Sequence, residues 1–466
     1  MTNINEITEA LKTNKDVTII KNKLPFYFIY QNDSCDIRLF NRDYLSIIKS
    51  NQEEKLSEVF VGVCKVLEND TFDSILELLF MGMMIIYDKK RDLYYFFDLI
   101  NKPQRSVSES ISEPDAITGP RDGFVEGIKI NIVLIRNRIK DESLNIDELY
   151  IGRISKTRIN VLSLNGITNK SYLKATISIL EQIDVDGVYS TQDITSYFQK
   201  NAIMPKYLYL GSPDLVARHL TDGEVIILID GIPNVIVLPN TINSFLKLRL
   251  EQVNLKSYAI LLRVFVLISF FLATAFLGVL VSFVTFQSDS LSLLLISTLK
   301  VTQKGVFIPV YMEIILVLFL FELYYIVSFK SPKLTLSSMV VLVGGIIIGQ
   351  NTVMSGMVGV FIITLVALSF LASFTISSNV TFVMSISLIR SFLLIASLFL
   401  GFFGFTLALI YLVVRISSET TYKVDYFYPF IPWNKKGVKK FFMFESNLNL
   451  KTRPDELKVK NKRKKR

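Results

Sequence analysis

The sequence predicts an α/β cytoplasmic N-terminal domain, open to division into two similar subdomains, then an all-α polytopic transmembrane domain and a basic cytoplasmic tail. Three observations lead there. Half of the 466 residues are hydrophobic and the mean hydropathy is +0.41, too apolar for an ordinary soluble protein. The apolarity is segregated: charges are dense up to about Lys256, sparse from Ser257 to Val414 and dense again from Lys435, the pattern of a membrane domain between two wet ends. Before Ser257, short β-rich runs alternate with amphipathic helical ones. The expected divisions are residues 1–110 and 111–250 for two α/β subdomains, 251–416 for the transmembrane domain and 417–466 for the tail.

The net charge of +9 has a local source. From Lys435 to the end there are 13 Lys or Arg and 3 acids, a net of +10, which leaves the rest of the chain near −1. That distribution argues against a nucleic-acid surface. Beside a membrane domain the run NKRKKR reads as cytoplasmic retention and contact with lipid headgroups. No cofactor or metal is expected, because Cys35 and Cys64 are too few for a disulfide framework or a Cys-rich site, and their apolar neighbours suggest packing. His219 is the single histidine, and no nucleophile elbow, zincin motif or Walker A loop accompanies it, so an enzyme is not expected. The opening MTNINEITEALKTNKD shows no signal-peptide h-region, so the first 250 residues are expected to stay in the cytoplasm.

In the soluble half, "DVTII", "FYFIY", "INVLSL" and "EVIILIDG" read as strands, and "EEKLSEVFVGVCKVLE" and "FVEGIKINIVLIRNRI" as helices. "RINVLSLNGITNKSYLKATISILEQIDVDGVYS" reads as strand, crossover helix and second strand, which predicts some parallel pairing. "LLFMGMMIIYDKKRDLYYFFDL" and "HLTDGEVIILIDGIPNVIVLP" are hairpin signals and echo each other; a duplication would produce that echo, and so would any two hairpins. Between them, Gly119 and Pro120 break the chain and Asp122 can cap a helix whose apolar positions are Phe124, Ile128, Ile132, Ile135 and Ile139. Gly119, Arg121 and that helix N-terminus could hold a phosphate, or the loop could simply dock the helix.

In the apolar half, residues 258–286 form one span, roughly 40 Å as helix. Residues 287–304 are an interfacial loop, because "LSLLLIS" is too short to span. Residues 306–329 cross back, ending on Lys330, Pro332 and Lys333. Apolar segments 334–348, 353–374 and 392–414 remain. Three full crossings there would put the basic tail outside, against the positive-inside rule. A break in VLVGGIIIGQNTVMSGMVGV would restore four crossings, while residues 377–390 could hide a further short one.

"EPDAITGPRDGFVEGIKINIVLIRNRI" resembles a signature of the GerA-type spore germination receptor A subunits. "SPDLVARHLTDGEVIILIDGIPNVIVLP", "LISTLKVTQKGVFIPVYMEIILVLFLFELYY" and "YKVDYFYPFIP" are similar to three further motifs of that family, in the family's order. The stretch "QKGVFIP" keeps only Pro309 of the usual prolines, and Gln350 stands where the family often has an acid. The resemblance implies a nutrient-responsive receptor at the spore inner membrane, with a permease-like B subunit and a lipoprotein C subunit as partners. It also implies a homo-oligomeric A-subunit ring that passes cations. Stage V sporulation AF proteins, accessory subunits, share the motifs.

With that context, the break becomes a candidate pore or gate formed by Gly345, Gly349, Gln350, Asn351, Thr352, Ser355 and Gly356, since irregular backbone at membrane depth needs protein or a water-filled cavity. Close helix packing through Gly345-x-x-x-Gly349 is the rival reading. Glu313 and Glu322 are costly inside a membrane and each needs a partner or water. Nine residues apart, they face opposite sides of one helix and cannot form one two-carboxylate site; Arg390 is an expected partner. Gly119, Pro120, Arg121 and Asp122 are the candidate interface motif.

Overall fold

The computed structural model describes residues 4–11, 14, 16–21, 25–51, 54–60, 63–67, 72–99, 120, 122–246, 256–330, 350, 352–377, 379–422, 424–442 and 452–464. Strands β1 (Val17–Lys21), β2 (Phe26–Gln31), β3 (Cys64–Val66), β4 (Met84–Asp88) and β5 (Leu93–Phe97) form a sheet in the order β1-β2-β4-β5-β3. Strands β6 (Leu144–Ile151), β7 (Thr157–Leu164), β8 (Leu208–Leu210), β9 (Val225–Ile229) and β10 (Val235–Leu238) form a second, in the order β6-β7-β9-β10-β8. The two orders are the same once renumbered. Helix placement repeats as well. Short helical turns between Ile37 and Val59 join β2 to β3, and α1 (Phe72–Phe80) joins β3 to β4. In the second unit α2 (Ile128–Arg136) leads into β6, α3 (Lys170–Glu181) and α4 (Thr191–Phe198) join β7 to β8, and α5 (Pro213–Asp222) joins β8 to β9.

Both faces of each sheet are covered. In β9, Val225, Ile227 and Ile229 point into the layer of α3 and α4, whereas Ile226 and Leu228 point into the layer of α2 and α5. Such strands read as unbroken apolar runs, the usual mark of parallel sheets. Every pairing among the described strands is nevertheless antiparallel, which corrects the expected crossover unit. "DVDGVYS" is not a strand. Its carbonyls at Val185 and Asp186 accept from Arg153 and Ile154 of the β6–β7 turn, and Ser190 with Asp193 then starts α4 as a capping box. The described residues of "EEKLSEVFVGVCKVLE" likewise form a short helical turn, Leu56–Val59, and then β3, with Cys64 buried in the sheet core. The β4–β5 and β9–β10 hairpins form as expected.

Residues Ile242–Leu246 (α6) lead toward an apolar bundle of α7 (Lys256–Thr274), α8 (Phe276–Phe286), α9 (Leu293–Thr302), α10 (Val310–Lys330), α11 (Val360–Ile376) and α12 (Val380–Ser417). Among the described residues, two helices are long and apolar enough to cross a membrane, Ser257–Thr274 and Val380–Ser417. Only Ala275 interrupts α7 and α8, and its N–H and C=O still bond to Phe271 and Val279 at 2.9 and 3.0 Å, so the pair is nearly the single rod expected. In α9, Leu293 and Leu294 are exposed, as an interfacial segment requires.

The largest departure is α12. Gly401 has φ 58° and ψ −143°, a conformation essentially confined to glycine, and the chain reverses there. The rings of Phe392 and Tyr411 lie 5.9 Å apart, although a straight helix would separate their Cα atoms by roughly 28 Å. Residues 380–400 and 402–417 are therefore antiparallel arms of a helical hairpin, and its tip packs on Phe286. This corrects the expected single span over 392–414, and residues 377–390 belong to the first arm and its approach.

The tail is also more ordered than expected. After β11 (Thr420–Thr421), β12 (Val424–Asp425) and α13 (Lys435–Phe442), residues 452–464 return to the second sheet unit. Arg453 Nε donates to the Thr221 carbonyl at 2.7 Å, Lys464 pairs with Asp222 at 2.5 Å, and Val459 fills the space above Gly223. Segment 452–464 is thus held on the second sheet unit, with Lys462 and Arg463 of the NKRKKR run exposed.

Candidate functional site

Among the described residues, four clusters built on buried charged side chains tie elements together, and three of them join elements that the sequence keeps far apart. The first joins the two sheet units. Arg136, fully buried on α2, donates from Nε and Nη2 to Asp16 Oδ2 at 3.1 and 2.6 Å, and from Nη1 and Nη2 to the carbonyls of Asp141 and Leu144 at 3.0 Å. Gln31 also donates to Asp16 at 2.9 Å, and Phe80 lies against the guanidinium. Burial draws the Arg136 pKa down from its ordinary value, with Asp16 acting against it.

The second is the joint between the second sheet unit and the bundle. Glu419, buried just beyond α12, accepts from the Ile203 N–H at 2.7 Å, and its carbonyl accepts from Tyr426 at 3.1 Å. Arg415 reaches the Asn201 carbonyl, and Phe245 of α6 stacks on Phe382 at 4.5 Å. These contacts define the near end of the bundle; the Gly401 tip lies at the far end.

The third sits at the far end around Glu313. Its carboxylate, fully buried, accepts from the Gly359 N–H at 2.8 Å and from Gln303 Nε2 at 3.3 Å. Gly359 is the N-cap of α11, so Glu313 meets the positive end of that helix and fastens α9, α10 and α11 together. Beside it Gly356, at φ 69°, presses on the Gly305 carbonyl, leaving no room for a Cβ.

The fourth lies within the bundle. Glu322 on α10 pairs with Arg390 on the first arm of α12 at 2.5 Å and also accepts from Ser387. Arg390 further donates to Ser373 of α11 at 3.2 Å and lies over Phe370. Its Nε is buried without a partner. An ion pair left short of one hydrogen bond in an apolar setting links three helices and can be shifted by a change in any of them.

The structure separates the residues singled out from sequence. Gly345, Gly349 and Asn351 lie outside the described residues, as do Gly119 and Arg121. Gln350 and Ser355 are exposed, and Thr352 is buried next to the Gly356 turn at the far end. Glu313 and Glu322 belong to different clusters. Pro120 is exposed. Asp122 does not cap α2: it forms a two-pronged pair with Arg138 at 2.6 and 2.7 Å. The cap role falls to Asp230 in the β9–β10 turn, which accepts from the Ile128 N–H at 3.1 Å. Sequence reading missed Arg136–Asp16 and the Glu419 joint, which span 120 and 216 positions. It also missed Gly401, whose signal was a glycine in the middle of an apolar run too long for one span.

Comparison with known sequences now decides the family. The family described as Bacillus/Clostridium GerA spore germination protein matches residues 5–456. The chain belongs to the GerA family. Among individual relatives it is 28% identical to spore germination protein XA of Bacillus anthracis, over 78% of this chain and 74% of that protein. It is 27% identical to spore germination protein KA of Bacillus subtilis (strain 168), over 84% and 72%. Stage V sporulation protein AF of the same strain is 24% identical over 96% and 91%. Among solved structures it is similar to the N-terminal domain of the A subunit of the Bacillus megaterium spore germinant receptor GerK3, with a TM-score of 0.37 and 21% identity over 50% of this chain and 92% of that one. The GerA motifs read from the sequence meet in space: the Asp230–Gly231 turn of one caps the helix of another, with Gly231 N–H donating to the Glu126 carbonyl at 2.8 Å.

Proposed function

We propose that this GerA-family chain is the A subunit of a nutrient-responsive germination receptor, embedded in the spore inner membrane and oligomerising into a ligand-gated cation channel. Its partners are a permease-like B subunit, a lipoprotein C subunit and further copies of itself. The observation that carries the reading is the near-end joint, where Glu419 and Phe382 tie the second sheet unit to the arms that hold Arg390. A movement of the sheets reaches the ion pair in the bundle through those contacts.

Membrane embedding draws support from the bundle's outer wall, where Leu388, Phe399, Phe403 and Ile410 are each 60% exposed or more. The described passes of this reading are α7 with α8, α10, α11 and the two arms of α12. Glu313 near the start of α10 touches Gly359 at the start of α11, so α10 and α11 run the same way. The second arm of α12 ends at the Glu419 joint with the second sheet unit, which keeps the sheets and the basic tail on one side, as the positive-inside rule asks. The stretch Gly345 to Gly356 remains the proposed gate, and catalysis has no part in this reading.

Particle images of the isolated receptor complex test it. A ring of A subunits around a central hole is expected; single copies without a hole contradict it. An accessory or scaffolding subunit without its own pore is the second reading, favoured by the packing of Gly356 on the Gly305 carbonyl and by the burial of Thr352. Normal germination after replacing Gln350, Asn351 and Thr352 together with aliphatic residues would select it.

A further inference from the structure

Helix α13 has two unlike faces. Phe441 is buried against Phe430 at 5.2 Å and beneath the Arg263 guanidinium at 5.6 Å, which fixes the helix to the first turns of α7. Asn434 caps it, accepting from Lys436 and Gly437 at 3.1 and 3.2 Å while its amide donates to Tyr428. The opposite side carries Trp433, 69% exposed, with Ile431 beside it and Lys435, Lys436 and Lys439 exposed along the helix. Among the described residues none of these three lysines is paired with a carboxylate. The acids nearest in sequence are Asp425 and Glu445.

Place decides what such a face fits. Arg263 is about two turns into α7, and beyond it Val264, Phe265 and Ile268 are exposed. The basic helix therefore lies where the apolar wall of the bundle begins. An indole with an apolar neighbour suits the boundary between acyl chains and headgroups, and unpaired lysines suit anionic phosphates there. We infer that Trp433, Lys435, Lys436 and Lys439 form a binding surface for the anionic phospholipid headgroups of the leaflet facing the sheets. The inference rests on the membrane reading of the bundle.

Trp433 is the only tryptophan in the chain, so its fluorescence reports this surface without labelling. The full chain is reconstituted into phosphatidylcholine vesicles containing brominated phosphatidylcholine or brominated phosphatidylglycerol, and quenching is measured beside aqueous iodide. Shielding from iodide is expected, with quenching by the brominated anionic lipid about twofold or more above that by the neutral one. K435Q/K436Q/K439Q should abolish that preference while the tryptophan stays quenched by lipid. Equal quenching by both lipids in the unaltered chain, or free access of iodide with no lipid quenching, overturns the inference. Flotation of the same vesicles after a carbonate wash separates the two levels: a chain that stays with lipid but fails the quenching test refutes only the headgroup surface. A chain that washes off refutes the membrane reading, and the headgroup surface with it.

Discussion

Two buried arginines, Arg136 in the sheets and Arg390 in the bundle, solve one problem in different ways. Arg136 is sealed: every guanidinium nitrogen has an oxygen partner, and its carboxylate is also buried. Arg390 keeps an unpartnered Nε, and its partner Glu322 is 26% exposed at the side chain. Asp16 Oδ1 is itself buried without a partner, so what separates the two pairs is enclosure: a pair buried on both sides fixes the relative position of two units. A pair whose carboxylate is open to one side has less to lose by moving, so the difference marks one as a latch and the other as a candidate moving part.

Four tests act on this contrast. Asp16→Ala should have the largest effect on stability, about 3–5 kcal/mol, because it strands a buried charge; thermal unfolding of the sheet region reads it. Glu322→Gln should cost less, about 1.5–3 kcal/mol, and yet impair nutrient-triggered germination more than Asp16→Asn does at matched receptor abundance. Equal impairment would remove the distinction between latch and moving part. Gly401→Ala, forced into a glycine conformation with its Cβ about 3.0 Å from Phe286, should cost about 1–3 kcal/mol and open the hairpin that carries Arg390. Cysteines replacing Phe392 and Tyr411 should cross-link in the parent and lose that yield in the alanine variant.

The smallest effect concerns a third pair. Burial disfavours the charged form of His219, but Glu224 against its ring more than offsets this and raises the His219 pKa above its ordinary value. Its contribution to stability is therefore complete below about pH 6.5 and is lost as pH rises through the folded value. Melting at increasing pH should show a small decline in the parent that His219→Gln removes.

Hydrophobic periodicity made much of this fold legible. The two hairpins and the core positions Phe124, Ile128, Ile132, Ile135 and Ile139 follow from it, and all five of those side chains are buried. Strand direction did not, since strands covered on both faces lose the alternation that marks antiparallel sheets, as Val225–Ile229 shows. The reversal at Gly401 was hidden because a hairpin of two apolar arms has the same composition as one long helix. Arg390 was foreseeable as a partner for Glu322, being a lone base in an apolar run. Glu313 was not placed with Gly359, because a carboxylate that binds a backbone N–H leaves no complementary residue to read.

On the proposed function, the sheets would control ion passage through the bundle by way of the Glu419 joint. Potassium release from liposomes holding the chain with its B and C partner subunits, challenged with single amino acids, tests it most directly. Release above the lipid-only background in response to a nutrient, strongly reduced by Glu419→Ala with the complex still assembled, is the expected result. An assembled complex that never releases potassium, or one that releases it equally with Glu419→Ala, would contradict the account.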